Sequence, residues 1–161
     1  MQAENTIGFQ FKTLNILHIA LCVGLAIILA IFRFILIDRQ APPDRNFVFE
    51  MTGIGISFIA IIAARVLFFT NCKKALTTTS LKEKFAIFRG AFILQIALIE
   101  GVAIINCILY FITRNDLHFF IALGLLLLLI VRRPTKKMAA MLLFNNLEDN
   151  QVVYDDNKLL D

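Results

Sequence analysis

The sequence predicts an all-α integral membrane protein with four transmembrane helices, arranged as two antiparallel hairpins. The first observation is composition: 59% of the 161 residues are hydrophobic and the mean hydropathy is +0.79, whereas soluble domains are about 45–50% apolar. The second is that the apolar residues form four runs, each able to cross about 30 Å of hydrocarbon at about 1.5 Å per residue. These runs cover residues 14–37, 47–69, 88–112 and 117–131.

The first run, at residues 14–37, is predicted to be a transmembrane helix and not a signal peptide. Its apolar stretch is too long for the hydrophobic region of a signal peptide, and its N-terminal flank holds one base, Lys12. Residues 38–44 read DRQAPPD, which contains no small-residue cleavage site. We therefore expect this helix to remain in the mature protein.

The second run carries a narrow face of small side chains. Gly53, Ser57, Ala60 and Ala64 recur at i, i+4, i+7 and i+11, which places them on one side of a helix. Such a face lets another backbone approach closely, and this is how membrane helices associate when no hydrophobic force drives them together. We expect a neighbouring helix to lie against it.

The third run carries a similar stripe, which consists of Ala86, Gly90, Ala97 and Gly101. The segment from residue 70 to residue 87 is long enough for the second and third helices to return side by side as an antiparallel pair. The sequence therefore predicts that the two faces of small residues pack against each other.

The fourth run holds only 15 residues, so it needs its polar flanks to reach both interfaces. It completes a transmembrane domain at residues 1–133, and residues 134–161 follow as a cytoplasmic tail. Pro134 ends the fourth helix or begins a new one, and the apolar residues between Met138 and Leu143 predict a short interfacial helix. Beyond Asn145 acidic residues outnumber basic ones. We expect this segment to be a loosely ordered tail, and the alternative is a docking peptide for a soluble partner.

Orientation follows from the basic residues, because cytoplasmic loops carry the excess of lysine and arginine. The second loop and the start of the tail hold most of them: Lys73, Lys74, Lys82, Lys84, Arg132, Arg133, Lys136 and Lys137. The first loop holds only Arg39 and Arg45, and the third only Arg114. Both termini are therefore predicted to be cytoplasmic, in a bacterial inner (plasma) membrane. The net charge of +4 then reflects orientation and attraction to anionic lipid, so we expect no nucleic-acid partner.

Glu100 is the candidate functional residue, because it falls near the middle of the third run. A charged side chain at the centre of a membrane helix costs about 2.5–3.5 kcal/mol on insertion scales, so such residues are rare and are paired, protonated or exposed to water. No base stands near it on the same helix, and we expect its proton to stay bound near neutral pH. Gln95 and Asn106 share a different face and are expected to be interhelical hydrogen-bond donors.

At these residues the chain resembles the c-type proteolipids of rotary ATPases. The resemblance rests on Gly53-Ile54-Gly55, Ala63-Ala64-Arg65, a polar loop, and Ala97-Leu98-Ile99-Glu100-Gly101. It implies that Glu100 carries a proton or sodium ion. It also implies a close-packing face, which consists of Gly53, Gly55, Ser57 and Ala60. The chain departs from that family in three ways. Its loop is longer, and only Gly53 and Gly55 remain of the family's glycine repeat. Its first and fourth helices have no counterpart in the two-helix form.

Two further resemblances bear on function. The chain resembles small four-span bacterial membrane proteins with no assigned activity. In size it is also similar to small dimeric proton-coupled exporters, but their glutamate lies in the first helix and their sites use tryptophan, which is absent here. The sequence thus leaves three interpretations: a proton- or cation-binding subunit centred on Glu100, an assembly or accessory protein in which Glu100 only packs, and a small exporter. In each case we expect the chain to lie in the bilayer and to associate either with copies of itself, as a homo-oligomer, or with another membrane protein.

Catalytic and metal sites are not predicted. The sequence has no GxSxG, HExxH, phosphate-loop or CxxC motif, so we expect neither an enzyme nor a cofactor. His18 and Cys22 lie four residues apart, but tetrahedral zinc sites need three or four ligands. No disulfide is expected in the reducing cytoplasm. His118 is expected to cap the short third loop with Arg114 and Asp116.

Overall fold

The computed structural model describes residues 6–36, 47–144 and 151–160. The predicted first loop, with Arg39 and Arg45, and the acidic residues Glu148 and Asp149 lie outside the described residues. Five α-helices make up most of the described chain: α1 (Ile7–Leu36), α2 (Phe47–Ala75), α3 (Leu81–Thr113), α4 (Asp116–Val131) and α5 (Lys136–Leu143). A 3₁₀ turn follows at Val152–Tyr154. In these ranges the one β-type pairing is a single bridge between Thr6 and Leu159, so the prediction of an all-α chain is confirmed for them.

Three of the helices, α1, α2 and α3, are long and apolar enough to cross a membrane. Helix α4 meets α5 at a 77° bend, and the count rises to four if this bent pair is one span. The apolar helices therefore indicate a membrane-embedded protein.

The helices extend beyond the apolar runs that predicted them. α1 begins at Ile7, α2 continues to Ala75 and α3 begins at Leu81, in each case about two turns beyond the run. Hydropathy marks only the part of a helix that suits hydrocarbon, whereas lysine, glutamate and glutamine at the ends are good helix formers. Side-chain caps fix the first residues of α3 and α4. The Ser80 hydroxyl accepts from the Glu83 N–H at 3.4 Å, and the Asn115 side chain accepts from the Leu117 N–H at 3.0 Å.

The chain divides into two compact units. Unit 1 contains residues 1–18, 65–95 and 133–161, and so holds the start of α1, the end of α2, the start of α3, and α5 with the C-terminal segment. Its core is a group of phenylalanine rings on three helices. Phe88 is fully buried, and its ring centroid lies 6.2 Å from that of Phe11, 6.1 Å from that of Phe68 and 6.4 Å from that of Phe92.

Unit 2 contains residues 19–64 and 96–132, and so holds the end of α1, the start of α2, the end of α3 and all of α4. Its core combines aliphatic side chains, among them Leu25, Ile99 and Leu129, with a set of buried polar groups. Those polar groups come from three different helices and are described below.

The two faces of small residues do not pair as the sequence predicts. On α2, Gly53, Ser57, Ala60 and Ala64 are buried, while Gly55 is half-buried. On α3, Ala97 and Gly101 are exposed, and a Cβ added at Gly101 or at Gly55 would meet nothing within 4 Å. The α3 face that packs inside the chain carries larger side chains instead, which bury more apolar area: Phe88, Phe92, Ile96, Ile99, Ala103, Asn106 and Tyr110.

The expectation of a loosely ordered tail is wrong for residues 151–160. The Ile7 N–H donates to the Lys158 carbonyl at 3.1 Å, and the Gly8 N–H donates to the Asp156 carbonyl at 3.2 Å. These bonds satisfy N–H groups that have no partner at the start of an α-helix. Val153 is fully buried, and the Asp156 carboxylate pairs with Lys136 of α5. The C-terminal segment therefore packs against the start of α1 inside unit 1.

Candidate functional site

Glu100 lies in the middle part of α3, about 20 Å along the helix from its end at Thr113. Its side chain is half-buried. Within residues 6–36, 47–144 and 151–160 the carboxyl makes no hydrogen bond and no ion pair. The carboxyl interacts electrostatically with the Cys22 thiol of α1. The carboxyl is therefore partly open to the outside of the chain, and no described side chain of unit 2 forms an ion pair with it.

The surroundings of Glu100 are small side chains. Ala97 and Gly101, its neighbours on the same side of α3, are both exposed. The open space at the Cβ position of Gly101 means that a second helix can approach this part of α3 closely, because little side-chain bulk separates it from the backbone. This arrangement places the carboxyl at the edge of a surface that is accessible from outside the chain.

A second polar group lies inside unit 2, where the sequence indicated only separate residues. It consists of Ser57 on α2, Asn106 on α3 and His118 on α4, which are 6%, 0% and 0% exposed. The Asn106 amide donates to the Ser57 hydroxyl at 2.9 Å and to the Val102 carbonyl at 3.0 Å. The Ser57 hydroxyl donates to the Gly53 carbonyl at 2.6 Å. We call Ser57, Asn106 and His118 the buried polar cluster.

The donors and acceptors of this cluster determine which imidazole nitrogen carries hydrogen. A carbonyl only accepts, so the Asn106 atom that faces the Val102 carbonyl is the amide nitrogen. The other amide atom, Oδ1, is an acceptor and lies 3.3 Å from His118 Nδ1. His118 Nδ1 is therefore the donor. In the neutral imidazole the proton then sits on Nδ1, and Nε2, which is buried without a hydrogen-bond partner, carries a lone pair.

Gly53 makes room for the cluster. A Cβ built at this position would lie 2.6 Å from both Cε1 and Nδ1 of His118 and 2.9 Å from Oδ1 of Asn106. These separations are shorter than any normal non-bonded contact. The absence of a side chain at Gly53 is thus what allows the imidazole to lie against the α2 backbone.

Charged and aromatic groups surround the start of α4. Arg33 of α1 donates to Asp116 at 2.7 Å and to the Tyr110 hydroxyl at 2.9 Å, and its guanidinium lies 5.2 Å from the ring centroid of Phe119. On the α2 side, Asn115 donates to the Glu50 carboxylate at 2.6 Å. These contacts join α1, α2 and α3 to the start of α4.

Sequence reasoning identified part of this arrangement. The expectation that Asn106 is an interhelical donor is confirmed by its bond to Ser57. The expectation that His118 caps the third loop is wrong, because Asn115 supplies the cap and His118 points into the buried polar cluster. One signal in the sequence pointed to the cluster: Ser57 already belonged to the small-residue face, where a polar hydroxyl needs a partner. The partner itself depends on the tertiary fold.

The described residues contain no group of three or more histidine, cysteine, aspartate or glutamate side chains that could hold a metal ion. His18 instead packs its ring against Phe92, with centroids 6.1 Å apart. Cys22, Cys72 and Cys107 are not joined by disulfide bonds. No protein-family model, no curated protein and no solved structure matches this chain.

Proposed function

We propose that this protein is a multi-pass membrane subunit that binds a proton, or a small cation in its place, at Glu100. The observation that carries the proposal is the half-buried Glu100 carboxyl in the middle of an apolar helix, with no hydrogen bond or ion pair in the described chain. A bare carboxylate at that depth is costly, whereas a protonated or cation-bound carboxyl is not. Ion binding therefore removes a cost that the chain itself leaves uncompensated.

A four-span topology accompanies this proposal. The Thr6–Leu159 bridge brings the two ends of the described chain together, and ends that meet lie on the same side of a membrane. An even number of crossings is then required, so α4 adds a fourth crossing to those of α1, α2 and α3. Its 16 residues span about 24 Å, which a locally thinned bilayer accommodates.

The distribution of lysine and arginine supports the bacterial cytoplasm as this shared side. Unit 1, which holds both chain ends, also holds the basic residues of the segment that joins α2 to α3 and of α5. Unit 2 holds three described bases, Arg33, Arg114 and Arg132. By the positive-inside rule, unit 1 faces the cytoplasm.

The partial exposure of Glu100 supports the further proposal that a second membrane helix completes the site. Ala97 and Gly101 leave the α3 backbone open to close approach, and small residues at such a surface favour helix association in lipid. A second copy of the chain or another membrane protein would cover the carboxyl there. The same exposure supports the alternative function, an assembly or accessory protein in which Glu100 only donates a hydrogen bond to its partner and carries no ion.

Carbodiimide labelling distinguishes the two functions, because the reagent attacks a protonated carboxyl in apolar surroundings. Native membranes would be labelled across a range of pH, and the modified residue located by mass spectrometry. Glu100→Gln is the blank, and Glu83→Gln, which changes an exposed glutamate in the first turn of α3, is the matched control. We expect labelling at Glu100 that declines as pH rises and that is retained in Glu83→Gln. Protection by sodium would identify the cation that replaces the proton.

Absence of labelling at every pH would contradict ion binding at Glu100. Such a result means that the carboxyl is covered and permanently paired, which is the expectation for the accessory function. Purification of the native complex in mild detergent would then identify the partner helix.

A further inference from the structure

The buried Nε2 of His118 is the one polar side-chain atom in the described ranges that is fully enclosed and lacks a hydrogen-bond partner. A buried polar atom without a partner is unfavourable, and the lone pair on this nitrogen is available to bind a proton. Ion binding at Glu100 does not involve this atom.

The cluster supports the imidazole from one side only. Asn106 Oδ1 holds the Nδ1 proton at 3.3 Å, and the Gly53 backbone lies against Cε1. Both contacts fix the plane of the ring and leave Nε2 as the free position. An imidazole oriented through Nδ1–H by a neighbouring oxygen is the usual arrangement where Nε2 acts as a base or a ligand.

Charges on the surrounding elements decide whether a proton is tolerated. Glu50 on α2 interacts electrostatically with the imidazole and is acidic. On α1, Arg33 is already engaged by Asp116 of α4 and by Tyr110 of α3. The remaining charged groups of unit 2, in the part that the structure describes, are Glu100 on α3 and the two arginines that follow α3 and α4. Burial of the ring disfavours the charged imidazolium, and the described charge that acts on the ring, from Glu50, is negative and opposes this effect.

We propose that His118 is a second proton-binding site, in which Nε2 takes up a proton and Glu50 provides the counter-charge. In this reaction the Nε2 lone pair forms the new N–H bond, the proton comes from water, and the ring becomes an imidazolium with both nitrogens protonated. The Nδ1–H bond to Asn106 is kept in both states. Protonation thus adds a charge attraction between α4 and α2 without breaking the buried polar cluster.

The first measurement is the protonation state of each imidazole nitrogen, by nitrogen-15 NMR of the full chain with labelled histidine in lipid nanodiscs. The chain has two histidines, so the His18→Gln variant leaves the His118 signals alone. At pH 8 we expect Nδ1 to carry hydrogen and Nε2 to be bare, and on acidification we expect Nε2 to gain a proton. A proton on Nε2 at pH 8, or no proton uptake down to pH 4.5, would overturn the proposal.

Variants of the neighbours test the counter-charge. Glu50→Gln removes the negative charge but keeps the shape, and we expect half-protonation of His118 to require a several-fold higher proton concentration. Glu83→Gln, which removes a charge in unit 1, is the matched control and should leave the titration unchanged. Equal titration of Glu50→Gln and the native chain would refute the role of Glu50.

If Glu50→Gln fails to fold, the titration of His118 in the native chain at low and high salt replaces it as the test. Because Glu50 is half-buried and therefore partly screened by solvent, the pair predicts that high salt reduces protonation of His118, and a titration that does not change with salt would count against the pair.

Discussion

Gly53 is the residue whose replacement the structure constrains most tightly. In Gly53→Ala the new methyl group would lie 2.6 Å from the His118 ring and 2.9 Å from Asn106. Neither group can move away without breaking a buried hydrogen bond. Overpacking of this kind costs about 1–3 kcal/mol, so we expect a loss of that size in the free energy of unfolding, measured by denaturant titration in mixed micelles.

Gly55→Ala is the matched control, because a Cβ at Gly55 meets nothing within 4 Å. An alanine there replaces glycine in the interior of α2, where helix propensity favours alanine by about 1 kcal/mol. The two variants should therefore differ in sign. Equal stability of both would contradict the close approach of His118 to α2.

Asn106 provides a second prediction at the scale of single residues. Asn106→Leu removes the donor to Ser57 and the acceptor for His118 Nδ1, and leaves both partners buried. Hydrogen bonds between membrane helices are worth about 0.6 kcal/mol on average and at most about 1.7 kcal/mol. We expect a loss in that range, and a double-mutant cycle with Ser57→Ala should show that part of the loss is shared. Strictly additive effects would mean that the Asn106–Ser57 bond does not contribute to stability.

The sequence predicted the individual polar residues better than their grouping. Glu100 and Asn106 stand out because each interrupts an apolar run, and polar groups in hydrocarbon need partners. His118 lies at the edge of its run, beside polar loop residues, so nothing local separates a buried histidine from an exposed one. Its contacts with Asn106 and Gly53 depend on how three helices come together, which no periodicity in a single segment encodes.

At the scale of elements, the apolar cores of the helices were predictable and their packing faces only partly so. On α2 the small-residue spacing coincides with the buried side, since Gly53, Ser57 and Ala64 all lie inside. On α3 small residues line the exposed side, because phenylalanine and isoleucine occupy the side that packs within the chain. A stripe of small residues marks a possible interface, but it does not say whether the partner belongs to the same chain.

The C-terminal segment yields a prediction about element packing. Val153 is fully buried, whereas the adjacent Tyr154 is 54% exposed. Val153→Asp would bury a charge and release the segment from the start of α1, because an unpaired buried charge is strongly unfavourable. We expect trypsin to cleave after Lys158 many times faster in this variant, with the shortened chain detected by mass spectrometry.

Tyr154→Asp introduces the same side chain at the exposed neighbouring position and should leave the cleavage rate close to that of the native chain. Rapid cleavage of the native chain itself would mean that residues 151–160 do not pack on α1. Cleavage that is slow in all three chains would mean that Val153 contributes little to holding the segment.

At the scale of the whole molecule, composition predicted a membrane protein, and the distribution of basic residues predicted which side of the chain faces the cytoplasm. Unit 1 carries most of the described lysines and arginines, while unit 2 carries the buried polar cluster and Glu100. The two groups that we propose to bind protons, Glu100 and His118, thus lie in the unit that has few described bases. The sequence did not reveal this division, because each unit is assembled from segments that are distant along the chain.

The number of crossings is the prediction that belongs to the molecule as a whole. Single cysteines at Thr79, Tyr154 and Asp116, which are all exposed, report the α2–α3 segment, the C-terminal segment and the start of α4. If α4 crosses the membrane, a membrane-impermeant maleimide applied to intact cells should label Asp116→Cys, but should label Thr79→Cys and Tyr154→Cys only after permeabilisation. The native chain, with its three thiols, provides the background. Opposite accessibility of positions 79 and 154 would mean three crossings, and would break the link between the Thr6–Leu159 bridge and an even number of spans.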